Sequence, residues 1–134
     1  MDPRDSEKRC AEQGIYARAY SFFDAMDLAY GAADLCVGRA GATFLAEVGT
    51  KRLPVLLVPY PFADGHQWAN AEVFKKEFSV RVEDQKKLDG KKMAFILEEM
   101  IKETSAGARP ASSLPRPNAR EALADLIDAC IQNP

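Results

Sequence analysis

The stretch "LCVGRAGATFLAEVGTKRLPVLLVPYP", residues 35–61, decides the fold of this chain. It opens on a short apolar run, passes through Arg39, the small residues Ala40, Gly41 and Ala42, and Thr43, and enters a helical pattern carrying Glu47. It closes on "LPVLLVPYP", an unbroken apolar run bounded by prolines, which reads as a buried strand. "LCVG" reads as a second buried strand. Two strands joined through a helix need a crossover connection, so they lie parallel. The small residues raise a question of their own. A strand that hands over to a helix through Ala40–Gly41–Ala42 either makes a compact turn or leaves its backbone clear for something to lie against it.

Working outward, "HQWANAEVFKKEF" returns to helix, "SVRVE" to strand and "KKMAFILEEMIKE" to helix. A loop, "TSAGARPASSLPRP", follows, and "NAREALADLIDACIQ" is predicted to end the pattern as a helix starting near Pro117 or Asn118. Toward the N-terminus, "DAMDLAYGAAD" is helical, with Met26, Leu28, Ala29 and Ala32 or Ala33 as its inner face. "IYARAYSFF" reads as a strand. "DPRDSEKRCAEQG" reads as an exposed helix capped by Asp2, with Pro3 at the first helical position and Gly14 at the exit. The alternation predicts an α/β fold: a Rossmann-like, mostly parallel sheet of about four strands, with helices on both faces. At 134 residues the expectation is a single domain, 1–134, opening on a helix where such folds usually open on a strand.

Composition narrows the function. A formal net charge of −2 exerts no broad pull on polyanions, so no nucleic-acid partner is expected. No run of apolar residues is long enough to span a membrane. The first residues, "MDPRDSEKRC", are charged and lack an apolar signal core, which by default predicts a cytoplasmic location. Cys10, Cys36 and Cys130 are odd in number and far apart, unlike a disulfide framework or a zinc site; Cys36 and Cys130 read as small core residues. The charge run "KKLDGKK" reads as a solvated turn. In parallel sheets ligands sit beyond the carboxyl ends of the strands. Three loops there carry small or polar residues: Phe23–Met26, Arg39–Thr43 and Tyr60–Asn70.

Those loops carry a resemblance. An F-x-D-x-M segment at Phe22–Met26, the R-A-G-A turn at Arg39–Ala42 leading to Glu47, the P-x-x-x-V-P-Y strand, and the D-x-H-Q-x-x-N-A helix start at Asp64–Ala71 occur in order and without gaps. Together they resemble the donor-binding domain of the bacterial peptidoglycan N-acetylglucosaminyltransferases, the MurG family, in glycosyltransferase family 28. "ARPNAREALADLIDA" is similar to that family's closing helix, so the likeness runs from about residue 12 onward. It implies the C-terminal half of a two-domain GT-B enzyme that takes UDP-N-acetylglucosamine as donor substrate. The implied reaction is inverting transfer to the C4 hydroxyl of a lipid-linked muramoyl peptide (lipid I to lipid II), at the cytoplasmic face of the bacterial plasma membrane. No metal and no cofactor are implied.

The resemblance assigns donor contacts to Phe23, Met26, Arg39, Gly41, Ala42, Thr43, Phe44, Glu47, His66, Gln67 and Asn70. Phe23 and Met26 match the segment that cradles uracil. The small turn opens a helix N-terminus whose free N–H groups and partial positive charge suit a diphosphate. Glu47, one turn beyond Thr43, matches the carboxylate that accepts both ribose hydroxyls. Arg39 either meets a phosphate or holds the loop through its fork of donors. His66 and Gln67 match the pair that reaches the sugar and diphosphate, and Gln67 can both donate to and accept from hydroxyls. Asn70 either orients the donor or serves a backbone partner. No catalytic residue is expected here; the family's base belongs to the other domain, and His66, the lone histidine, is only a secondary candidate.

Two positions depart from the family pattern. Phe44 stands where the family usually has Thr, with the Thr shifted to 43, and Arg52 stands where a Gly closes the helix, so the exit is expected to use Gly49. No counterpart of the acceptor domain or of the strand with the Gly-rich loop that opens the donor domain is present in this sequence. Since such transfer takes place between two domains, the 134 residues alone are expected to be inactive or nearly so. Three readings follow: the C-terminal part of such a transferase, a half-enzyme docking on a separate acceptor-domain chain, or a non-catalytic nucleotide-sugar-binding or interaction module.

Overall fold

The computed structural model describes residues 2–62 and 65–105. The chain forms two compact units, Met1–Ala32 and Ala33–Pro134. The predicted closing helix, Cys130 and Asp64 lie outside the described residues, as does all of the predicted loop after its first two residues.

In the first unit, α1 spans Pro3–Glu12, and the Asp2 side chain accepts from the Arg4 amide at its start. Its exit passes through Gly14 at φ +71, a left-handed conformation that costs glycine nothing. "IYARAYSFF" does not form the predicted strand. β-propensity needs a ladder partner to become a strand. Here the Ile15 amide is used by Cys10 O and the Ala19 amide by the Glu7 carboxylate, at 2.7 Å. The second helix, α2 (Met26–Ala32), buries Tyr30, while Leu28 is 68% exposed. Leu28 therefore does not belong to an inner face: it lies two residues, about 200° of helical rotation, away from Tyr30.

The second unit holds a parallel sheet of three strands among the described residues, β1 (Cys36–Gly38), β2 (Val55–Leu57) and β3 (Val80–Val82), in spatial order β1-β2-β3. The sequence predicted about four strands; the difference is residues 15–23. β2 lies between the other two and is fully buried along its length. β1 is an edge strand with Val37 exposed, so "LCVG" is half-covered and not buried as expected. Cys36 is correspondingly half-buried, and burial pushes its thiol pKa up.

Side chains alternate across a sheet, so Leu56 faces one side and Val55 and Leu57 the other. Leu56 packs with Ile96 and Met100 of α5 (Gly90–Ser105). Two right-handed crossovers stepping in one direction put α3 (Ala42–Lys51) and α4 (His66–Lys75) together on the opposite face. The result is the Rossmann-like α/β layering that the sequence predicts. Arg81 of β3 adds a polar tie, pairing with Glu99 and Glu103 of α5 at 3.1 and 2.6 Å. "KKLDGKK" is more ordered than a solvated turn. Lys86 and Lys87 sit in a 3-10 turn capped by Asp84, Asp89 accepts from the Lys92 amide as α5 begins, and Lys92 pairs with Glu83. Thr104 and Ser105, the first residues of the predicted loop, instead complete α5, their hydroxyls bonded to Met100 O and Ile101 O.

The exit of α3 also differs from expectation. Gly49 is not the exit; it is buried, and a Cβ there would lie 3.2 Å from the Phe74 ring and 3.3 Å from that of Phe78. Its smallness lets α3 approach the stacked Phe74–Phe78 pair, whose centroids are 4.2 Å apart. The helix ends on Arg52 itself, at φ 53 and ψ 38, its amide donating to Gly49 O and Val48 O. An L-residue in that conformation carries strain that glycine does not. Arg52→Gly is expected to stabilise the chain by about 0.5–1 kcal/mol, the relieved strain outweighing the added unfolded-state entropy. Denaturant titration reads the change.

Candidate functional site

The carboxyl ends of β1 and β2 open into two loops, Arg39–Gly41 and the segment from Val58 to Gly65, each leading to a helix N-terminus. Gly41 caps α3 without any side-chain hydrogen bond, at φ −76 and ψ 144. The amides of Ala42, Thr43 and Phe44 precede the first intrahelical bond, from Leu45 N–H to Gly41 O. Gly65 caps α4 in the left-handed conformation, φ 76, again without a side-chain cap, and the amides of His66, Gln67 and Trp68 precede the bond from Ala69 to Gly65 O.

Two side chains tie the two loops together, and a third braces the second loop against its own helix. Asn70 Nδ2 donates to Ala40 O at 3.1 Å, across 30 residues of sequence. Asn70 thus serves a backbone partner, but a distant one: it holds the start of α4 against the turn that opens α3. Arg39 Nη1 donates to Val58 O at 2.9 Å and more weakly to Pro59 O at 3.4 Å, and its guanidinium carbon lies 5.4 Å from the centroid of the Tyr60 ring. Of the two roles open to Arg39, this geometry performs the loop-holding one. Gln67 Oε1 accepts from the Tyr60 amide at 2.8 Å. That engages the acceptor half of Gln67 and leaves its NH2 as the part not bonded to another described residue.

Gly41 is the most informative position. Its φ is ordinary for any residue, and a Cβ placed on it meets no atom within 4 Å. Neither backbone conformation nor packing within the described residues calls for glycine there. Ala42 and Thr43 are exposed beside it, and Glu47 is exposed one turn after Thr43. Phe44 faces the other way. A Cβ on Gly38 would lie 2.5 Å from its ring Cζ, so the ring fills the space over the end of β1. His66 is exposed at the first position of α4. Phe23 and Met26 belong to the first unit, where the Phe23 ring packs 5.0 Å from Tyr20 and Met26 begins α2. Sequence reasoning overlooked Tyr60 as a brace, although it stands in the quoted P-Y motif.

Elsewhere in the second unit, cavities of about 300 and 510 Å³ lie at the amino-terminal ends of the strands, bordered by Val80 and by Leu35 just before β1. No cluster of metal-ligating side chains occurs among the described residues, and no helix among them is long and apolar enough to cross a membrane.

This chain resembles known proteins over nearly its whole length. Residues 2–129 match the glycosyltransferase family 28 C-terminal domain. The chain is 39% identical over 111 residues to a UDP-N-acetylglucosamine–N-acetylmuramyl-(pentapeptide) pyrophosphoryl-undecaprenol N-acetylglucosamine transferase of Halothermothrix orenii, covering 80% of this chain and 30% of the relative. The identically named protein of Myxococcus xanthus is 34% identical over 136 residues, 98% of this chain and 36% of that one. The crystal structure of Acinetobacter baumannii MurG superposes with a TM-score of 0.73 at 26% identity, over 95% of this chain and 38% of that chain. The chain thus spans about a third of the length of these relatives. With the family match running over nearly its whole length, and the paired loops standing where parallel sheets bind ligands, this chain belongs to the glycosyltransferase family 28 C-terminal domain family.

Proposed function

We propose that this chain holds the donor of a UDP-N-acetylglucosamine-dependent hexosyltransferase of peptidoglycan synthesis. The diphosphate lies at the N-terminus of α3, against Gly41 and the amides of Ala42, Thr43 and Phe44. The observation that carries this reading is the open space at Gly41 over an uncapped helix start. The N-terminal amides of α3 and the helix dipole stabilise negative charge, and that charge grows on the diphosphate as the glycosidic bond breaks. Glu47 accepts the ribose hydroxyls, and His66 and Gln67 reach the sugar. The names of the relatives supply the sugar and the lipid-linked acceptor.

The reaction this supports is displacement at the anomeric carbon. An acceptor hydroxyl attacks, UDP departs with the bonding electrons, and the hydroxyl proton passes to a base. The chain's share is to bind and orient the donor and to stabilise the leaving group. Acceptor and base belong to a further domain, in the same polypeptide or on a docked chain, working at the cytoplasmic face of the membrane. Neither a metal nor a cofactor enters this proposal.

Calorimetric titration of the 134-residue chain with UDP-N-acetylglucosamine tests it. Binding is expected without transfer, and Glu47→Ala is expected to weaken binding by about 1–3 kcal/mol, the scale of lost charge-assisted hydrogen bonds. An absence of binding heat, unchanged by the substitution, would favour a non-catalytic interaction module instead.

A further inference from the structure

Two aromatic rings stand exposed on the loop after β2. Tyr60 is 45% and Phe62 77% exposed, and their centroids are 5.7 Å apart in an edge-to-face arrangement. Large exposed rings on a loop normally carry a cost in ordering, yet this loop is braced by two side chains. The Tyr60 amide is bonded to Gln67, the Arg39 guanidinium lies against the Tyr60 ring, and Arg39 also grips the carbonyls of Val58 and Pro59. None of these contacts covers Phe62.

We propose that the Tyr60–Phe62 pair is an aromatic platform for the hexopyranose ring of the nucleotide sugar, a subsite distinct from the diphosphate cradle at Gly41; it rests on the donor reading above. The chemistry on the page is that of a carbohydrate subsite. A pyranose offers an apolar C–H face and a rim of hydroxyls, so it stacks on an electron-rich ring face beside fixed polar groups, and the two rings, inclined at 68°, offer such faces at an angle to each other. The Tyr60 backbone and the Gln67 side chain are bonded to each other, which holds the base of the Tyr60 ring beside an amide donor. With its Oε1 engaged, Gln67 has its NH2 to offer a sugar hydroxyl. Prior bracing by Arg39 and Gln67 means that little ordering remains to be done when the sugar arrives, which is what preorganisation contributes to affinity.

The test compares UDP with UDP-N-acetylglucosamine, by calorimetry on the full 134-residue chain and on Tyr60→Leu, Phe62→Leu and Tyr60→Phe. Leucine keeps apolar bulk and removes the aromatic face, while Tyr60→Phe keeps the ring. The two leucine variants are expected to bind UDP-N-acetylglucosamine about five- to tenfold more weakly, a loss on the scale of one aromatic stacking contact. The UDP affinity of both is expected to stay unchanged, as is the thermal midpoint of Phe62→Leu, whereas Tyr60→Leu, which loses the contact of Arg39 with the ring, is expected to melt slightly lower; Tyr60→Phe is expected to bind both ligands as the parent does. Equal loss for the two ligands, or loss for neither, overturns the platform while leaving the donor reading intact. A parent chain that binds neither ligand sinks the donor reading and the platform with it.

Discussion

Gly41→Asp is expected to move stability and binding in opposite directions. The position caps α3 with no side-chain bond, its φ of −76 suits any residue, and a new Cβ meets nothing within 4 Å. An Asp there can accept from the amides of Thr43 or Phe44, the standard N-cap bond, and it places a negative charge at the positive end of the helix. The thermal midpoint is therefore expected to hold or rise, corresponding to a gain of a few tenths of a kcal/mol up to about 1 kcal/mol. The same carboxylate occupies the amides proposed for the diphosphate and repels it. Opposed like charges at an interface cost several kcal/mol, so affinity for UDP-N-acetylglucosamine is expected to fall by at least about a hundredfold. Paired calorimetry and thermal melts read both quantities from one preparation. A variant that binds the donor as well as the parent would place the diphosphate elsewhere.

Leu56→Ala is expected to be the most damaging substitution for the fold. Leu56 is the middle residue of the middle strand, fully buried, and packs with Ile96 and Met100 of α5. Truncation removes buried methyl groups and leaves a cavity that a flat sheet backed by strands on both sides cannot collapse to fill. The expected loss is about 2–5 kcal/mol, a large part of the roughly 5–15 kcal/mol that holds a domain of ordinary size together. Leu28→Ala makes the control, since Leu28 is 68% exposed and its loss is expected to stay within about 0.5 kcal/mol. Urea titration of the two variants beside the parent distinguishes a core position from a surface one of the same residue type.

Much of this was legible in the chain itself. β1, α3, β2, α4, β3 and α5 follow the apolar patterning closely, because each buries one face or both and that burial writes itself into the sequence at period 2 or 3.6. Asp2 and Pro3 at the start of α1 were equally plain, since a cap is a local bond between near neighbours. "IYARAYSFF" misled because its residues favour extended backbone, while a strand exists only where a partner supplies hydrogen bonds. Leu28 misled because a two-turn helix is too short for its pattern to single out one face.

The sequence by itself determined the layered α/β class, the order of its elements and the family, all of which rest on local spacing and short motifs. Only the tertiary structure decided how the two loops lock together. The bond from Asn70 to Ala40, the grip of Arg39 on Val58 O and of Gln67 on the Tyr60 amide join residues seven to thirty positions apart. The roles of the glycines were likewise decided in three dimensions. Gly38 makes room for the Phe44 ring, Gly49 for Phe74 and Phe78, and Gly41 for nothing within the described residues. A missing side chain has no pattern of its own, so its reason is visible only in what stands, or does not stand, in the space it leaves.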